Sequence, residues 1–370
     1  MIAKCFDLEN KRRKYMPSQP SVPKRGTAAN PENRYERLHV EPDPEAPPEL
    51  PPTIVYRDVS RSVLAENDSP DIPFRYSLNP YRGCEHGCIY CYARPSHEYL
   101  GFSAGLDFET RILAKFDAPD LLRKTFHAKR WQPDVVAMSG NTDCYQPIER
   151  RLQLTRRCLE VFAEFRNPVA IITKSALVAR DAGLLAQLAA HQAAHVHVSI
   201  TSLNPEVARR MEPRAARPER RLEAIAALAR AGVPVAVMIA PVVPGLNDDE
   251  IPAILTAAAA AGATSAGWIL LRLPKPVDAL FERWLGEQFP RRRERVLHRI
   301  RSCRSGAMTD AQFGRRMRGE GEYAQQIAAL YGAAVRRSGL DRPLPVLSAA
   351  AFRRPPRSGD QLGLFAPSVQ

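Results

Sequence analysis

The 370-residue chain has no apolar run that could cross a bilayer unbroken. Its longest, 233–246 and 251–273, are interrupted by prolines, glycines or charges. Residues 1–18 carry Lys11, Arg12, Arg13 and Lys14 without an apolar core, so no secretory signal is read there. The expectation is a soluble, cytoplasmic protein. Acidic side chains are short, 40 against 53 Lys and Arg, leaving a formal charge of +13. Such a balance suits a polyanionic partner, nucleic acid or a membrane surface, although an arginine-rich composition can also merely solvate the surface. Seven cysteines is an odd number, and three fall within eight residues. That pattern excludes an evenly paired disulfide framework and suits metal binding in a reducing compartment.

Residues 1–55 are rich in Pro, Asn, Glu and Arg and read as an extended or disordered arm; 343–370 reads as a disordered tail. Between them, short β-branched runs at 134–138, 169–173, 196–200, 233–239 and 265–271 alternate with helical periodicity over 148–166, 177–191, 218–231 and 248–261. A further strand is expected near 74–79 and a helix near 119–130. Six β/α units in one direction predict an α/β fold, a partial (β/α)6 TIM-like barrel over 56–275 with its site at the carboxyl ends of the strands. Residues 276–342 read as a helical basic extension carrying Arg291, Arg292, Arg293, Arg295, Arg299, Arg301 and Arg304. On a helix these arginines form either a solvated face or a strip for DNA phosphates.

The segment Cys84-Glu85-His86-Gly87-Cys88-Ile89-Tyr90-Cys91 follows the first expected strand. Three thiolates this close can grip one face of a [4Fe–4S] cube, which ordinarily takes four. No fourth cysteine lies nearby, so the remaining iron is left open for a ligand. The alternative is a zinc ion held by these cysteines with His86 or His97, but C-x-x-x-C-x-x-C is not the usual zinc spacing.

This motif, with Tyr90 before the last cysteine and in a loop after the first strand of a β/α array, resembles the radical S-adenosylmethionine superfamily over about residues 73–275. The resemblance implies a [4Fe–4S] cluster on Cys84, Cys88 and Cys91. It also implies S-adenosylmethionine on the open iron, cleaved by one electron to a 5′-deoxyadenosyl radical, with flavodoxin or ferredoxin as a fitting electron donor. By the same resemblance Tyr90 stands at the adenine side. The turn Ser139-Gly140-Asn141-Thr142-Asp143, in place of the commoner Gly-Gly-Glu, offers Ser139 and Asn141 to the methionine amino group. Lys174 pairs with the carboxylate, Ser199 and Thr201 offer hydroxyls to the carboxylate or ribose, and residues 241–247 resemble an adenine-contact loop.

Within the superfamily, residues 79–84, 142–149, 173–175, 202–206 and 212–214 are similar to the spore photoproduct lyase branch and its uncharacterised bacterial relatives. That branch splits a thymine dimer in DNA, and a cysteine returns a hydrogen atom to the product radical. Here the matching position falls near Gly140. Cys144 lies four residues later, as a re-sited hydrogen donor, an auxiliary group or a buried small residue.

The tail peptide Gln361-Leu362-Gly363-Leu364-Phe365 resembles the motif with which bacterial repair and replication proteins dock on the sliding clamp, with Leu364 and Phe365 as apolar anchors. His195 and His197 alternate on a strand and could join His191 on a metal, although ordinary packing is the simpler account. The combined expectation is a radical enzyme of the lyase type, acting on nucleic acid in a manner related to DNA repair. Radical modification of RNA or protein is one alternative. A non-catalytic, clamp-associated DNA-binding iron–sulfur protein is the other.

Overall fold

The computed structural model describes residues 25–36 and 52–356. Its strands in chain order are β1 (Ile54–Arg57), β2 (Leu64–Glu66), β3 (Tyr76–Leu78), β4 (Tyr81–Arg82), β5 (Arg111–Ala114), β6 (Val136–Met138), β7 (Val169–Thr173), β8 (Ala194–Ser199), β9 (Val235–Val242) and β10 (Ser265–Leu270). Six of these pair in parallel in the order β10-β9-β8-β7-β6-β3, with β2 antiparallel at the β3 edge. This is the open partial barrel that the alternation predicts. A second sheet, β1-β5-β4, is not expected from the sequence pattern; two of its strands have four residues and the third has two, too short for a period to show.

Strand periodicity explains which face meets the helices. Val169 and Ile171 of β7, and Val196 and Val198 of β8, are fully buried. They share one core with Leu159, Phe162, Ile225, Leu228 and Leu255 from the covering helices. Each such side chain contributes roughly 1.5–3 kcal/mol on burial. The alternate residues, among them Ile172, His195 and His197, point to the opposite face.

The helices begin where local chemistry permits. Pro218 occupies the first turn of Pro218–Arg230, where its missing N–H is no loss. Asn204 caps Pro205–Met211, its side chain accepting from the backbone N–H groups of Glu206 and Val207 at 2.9 and 3.3 Å. The helix expected over 148–166 is instead two, Glu149–Leu152 and Leu154–Phe165. Gln153 takes a left-handed conformation between them (φ 52°), and the Glu149 carboxylate accepts from Thr155 N and Arg156 N of the second. The basic extension forms Val277–Gln288, Arg293–Ser302 and Gly321–Arg337, and Ile327 and Ala334 of the last join the barrel core.

Both ends hold more structure than their composition suggests. Residues 25–36 run as an extended strap over the cysteine loop, contrary to a disordered arm. Asn33 donates to the carbonyls of Glu98 and Phe102, and Arg34 forks onto Glu98. Residues 343–356 cross the amino ends of the strands: Ser348 N donates to Gln192 O, Arg353 N to Phe165 O, and Phe352 packs on Phe126 and Phe165. The clamp-like peptide 361–365 lies outside the described residues.

Candidate active site

The cysteine loop is held from all sides by its backbone. Gly83 and Gly87 turn it at positive φ (79° and 67°). Cys84 N donates to Phe108 O, Ile89 N to Met211 O, and Arg214 N to His86 O. Gln146 bridges it, accepting from Glu85 N at 2.9 Å and donating to Gly83 O at 3.0 Å. Arg94 donates to Cys88 O at 3.0 Å and forms a wholly buried ion pair with Glu109 at 2.6 Å. The Glu109 carboxylate also accepts from Gly26 N and Thr27 N, which fastens the strap to the same loop. Only glycine fits there: a Cβ on Gly26 would lie 1.7 Å from Gly87 O.

Cys84 and Cys88 are buried and Cys91 half-buried, all three as free thiols. Burial pushes the Cys84 thiol well up, followed by the charges of Asp143, Cys88 and Cys91. Burial raises Cys88 as well, with the Glu212 charge adding to it and Lys174 opposing. Cys91 is raised by burial against the nearby charge of Arg94. Three thiols that feel one another's charge, two buried and one half-buried, fit a cationic group between them, because metal coordination stabilises the thiolate that burial alone disfavours. Among the described residues no three His, Cys, Asp or Glu side chains gather closely enough to hold a single metal ion.

Beside the loop lies a buried polar network. Tyr90 and Thr201 both donate to Glu212 Oε1, the second at 2.5 Å, and Arg221 pairs with Glu212 Oε2. Arg221 also donates to the carbonyls of Ser199 and Ala216, at 3.0 and 2.7 Å. Burial works against the Glu212 charge, but Arg221, then Lys174, hold its carboxyl below the ordinary value. The Lys174 ammonium stands 5.8 Å above the Tyr90 ring. Among the described residues it donates no side-chain hydrogen bond, so its donors stay available for an anionic group.

A second carboxylate ties three strand ends together. Asp143 accepts from Thr173 Oγ1 at 2.8 Å and from Lys174 N at 2.8 Å, and pairs with His86 Nδ1 at 3.4 Å. Burial opposes its charge, yet His86, Lys174 N and Thr173 hold its pKa down to about 2. Ser139 and Asn141 sit on the turn after β6. Ser139 Oγ accepts from Cys144 N at 2.8 Å, and Asn141 reaches Asn79 Oδ1 and Ser96 Oγ. Tyr92, 46% exposed, donates to Gly140 O and lies under the Arg272 guanidinium at 5.5 Å. It thereby joins that turn, and Arg272, to the end of the cysteine loop.

Cys84, Cys88, Cys91, Tyr90, Lys174, Ser199 and Thr201 are thus brought together at the carboxyl ends of the strands, with Ser139 and Asn141 on the adjoining rim. Cys144 is 0% exposed, in the core with Tyr145 and Leu159, its thiol against Ser139 and Thr155. That is the environment of a packing residue. His195 and His197 pack edge to face, ring centroids 5.1 Å apart. Glu212 and Arg221 join the site without a role read from sequence; Asp143, read only as part of the polar turn, pairs with His86, which the sequence offers there only as a zinc ligand. Glu212 and Arg221 lie nine residues apart on different elements, a spacing with no helical or strand period to reveal it.

Residues 78–258 match the family model of the radical SAM superfamily. An uncharacterised protein of Mycobacterium tuberculosis is 38% identical over 221 residues, 59% of this chain and 65% of that one. Another, from Methanocaldococcus jannaschii, is 31% identical over 176 residues, 48% of this chain and 63% of that one. The chain therefore spans about 65% of the length of the first of these relatives. Among solved structures, a spore photoproduct lyase complexed with dinucleoside spore photoproduct superimposes with a TM-score of 0.54 at 18% identity, covering 76% of this chain and 79% of that one. A lyase mutant with bound S-adenosylmethionine and the same dinucleoside gives 0.50 at 18% identity, covering 77% and 78%. These last two likenesses concern the fold. The cysteine loop and most of the β/α core lie within that match, so residues 78–258 form a radical SAM domain, of a superfamily whose cofactors are a [4Fe–4S] cluster and S-adenosylmethionine.

Proposed function

We propose that the chain is a radical SAM enzyme that acts on nucleic acid, most closely in the manner of a DNA photoproduct lyase. The observation that carries the reading is the convergence of three cysteines, two buried and one half-buried, with Tyr90, Lys174, Thr201 and Glu212 in one polar pocket. When bound, the cluster and S-adenosylmethionine supply reductive cleavage to a 5′-deoxyadenosyl radical, with the electron from a flavodoxin- or ferredoxin-like donor. Cys84, Cys88 and Cys91 would hold the cluster. Lys174 would offer an ammonium to the methionine carboxylate, and Ser139 and Asn141 would serve the amino group. Thr201 and Ser199 would offer hydroxyls to the carboxylate or the ribose. Glu212, fixed by Arg221, orients Tyr90 and Thr201.

The DNA reading draws support from the fold likeness to the lyases and from the basic charge. The Gln361, Leu362, Leu364 and Phe365 peptide adds clamp docking to the proposal. It is tested by titrating purified sliding clamp with the tail peptide and with its Leu364→Ala, Phe365→Ala variant, and equal binding would refute it. The substrate class is tested by deuterium transfer. An irradiated oligonucleotide whose thymines are deuterated at C6 as well as at the methyl group should pass label into 5′-deoxyadenosine, because splitting the C5–methylene cross-link requires a radical at C6. Label arriving only from RNA or a peptide would replace DNA with that substrate. We assign Cys144 to packing, so Cys144→Ala should turn over normally; accumulation of products lacking the returned hydrogen would make it the donor.

A further inference from the structure

On the far side of the loop after β9 lies a cleft of about 480 Å³, walled by Arg293–Ser302 and Gly321–Arg337. Arg292, Arg295 and Arg299 line it from one side, and Leu246, Ile327 and Leu330 give it an apolar side. Arg295 donates to Gly245 O at 3.2 Å, and the Arg299 guanidinium lies 4.6 Å over the Tyr323 ring. The Arg299 stem packs where a Cβ on Gly245 would stand, 2.9 Å from its Cδ. Among the described residues none of the three arginines forms an ion pair, whereas neighbouring Arg293 pairs with both Glu282 and Glu294.

Two carboxylates also line the cleft, Asp248 and Asp249. Asp248 is buried and commits both oxygens internally, to Gly245 N and the Tyr323 hydroxyl. Asp249 is exposed. The cleft therefore presents guanidiniums without carboxylate partners beside an apolar wall whose rim, Leu330, is 38% exposed.

We infer that this cleft binds a nucleotide unit, its phosphate on Arg292 and Arg295 and its base against Leu330 and Ile327. Guanidiniums suit phosphate oxygens through paired N–H donors, and an apolar wall suits a planar base. The position gives the site a use. The loop that forms its wall is pinned on its other side by Asn247, which donates to Thr201 O at 2.7 Å. A bound nucleotide would thus lie one loop away from the Tyr90–Thr201–Glu212 network. The choice of a strand as the source rests on the nucleic-acid reading above; a free nucleotide has the same chemistry.

The test uses full-length protein and fluorescence anisotropy with a labelled single-stranded oligonucleotide over a series of salt concentrations, with a thymidine monophosphate arm as competitor. The variant is Arg292→Gln, Arg295→Gln, both exposed positions, with Arg292→Lys, Arg295→Lys to restore charge. The Gln variant should weaken binding and flatten the slope of log affinity against log salt by about 0.7 for each phosphate no longer neutralised. The Lys variant should recover the slope. Displacement by the monophosphate at a concentration comparable to that of the oligonucleotide would identify a free nucleotide as the occupant and still support the site. Unchanged affinity and slope in the Gln variant would overturn the inference, as would displacement by oligo-glutamate at equal charge, which would assign an acidic peptide. Cleavage of S-adenosylmethionine without nucleic acid is measured on the same preparations. It should be equal in all of them, so failure of the cleft is separable from failure of the radical reading.

Discussion

At the carboxyl ends of the strands, Tyr90, Thr201, Glu212 and Arg221 bury a carboxylate and a guanidinium among hydroxyls. At the amino ends, Phe126, Trp131 and Phe165 pack with Phe352 of the tail in tilted and edge-to-face pairs. The apolar end draws its stability from area and tolerates changes that keep its volume. The polar end gains little net stability from its buried charges, and each member depends on its partner being present. Such an arrangement makes sense where geometry and charge must be fixed for a ligand. Its consequence is sensitivity to single substitutions.

The largest expected contrast comes from one truncation at each end. Cys88→Ala should lose the cluster and reduce 5′-deoxyadenosine formation to background, as measured by iron content and product chromatography. Phe352→Ala should keep both and lose about 2 kcal/mol of stability in chemical denaturation. Equal loss of activity in the two would erase the distinction between the ends.

Next in size is the Glu212–Arg221 pair. Glu212→Gln leaves a buried guanidinium without its counter-charge and should cost about 3–5 kcal/mol by denaturation. Adding Arg221→Met should recover much of that stability but not the affinity for S-adenosylmethionine, read from the perturbation of the cluster's electron paramagnetic resonance. Recovery of both would make the pair purely structural.

A smaller effect is expected at the strap. Gly26→Ala places a Cβ against Gly87 O and should loosen residues 25–36 from the loop. Iron should then be lost faster in air than from the wild type, with only a modest change in melting temperature. Identical rates would show that the strap does not shield the loop.

The smallest effect is a pH dependence. His97, packed against Phe102 and Phe108 behind the loop, has its pKa lowered by burial to about 4. Its neutral form is the one the fold holds. The associated stability is complete above pH 6.5 and is lost as pH falls from 6.5 through 4, at no more than about 1.4 kcal/mol per unit. His97→Gln should flatten the stability profile in that window.

The six parallel strands are legible in the sequence because Val- and Ile-rich runs at 169–173, 196–200 and 233–239 alternate with helical periods, and because buried strands need such runs. The cysteine loop is legible because its three cysteines are close in sequence. What stays hidden depends on contacts between distant segments. Glu109 gathers Arg94 from one stretch and Gly26 and Thr27 from another, and only the folded chain brings them together. The break at Gln153 likewise follows from a carboxylate four residues earlier capping the next helix. Composition marks residues 25–36 as disordered since they carry few apolar side chains; backbone and Asn33 hydrogen bonds hold them instead.

The most direct test of the central claim is anaerobic reconstitution of the full chain with iron and sulfide, followed by dithionite and S-adenosylmethionine. The account predicts a [4Fe–4S] signal that shifts on adding S-adenosylmethionine, and formation of 5′-deoxyadenosine that disappears in Cys84→Ala, Cys88→Ala and Cys91→Ala. A protein that assembles no such cluster, or assembles it and leaves S-adenosylmethionine intact, would contradict it.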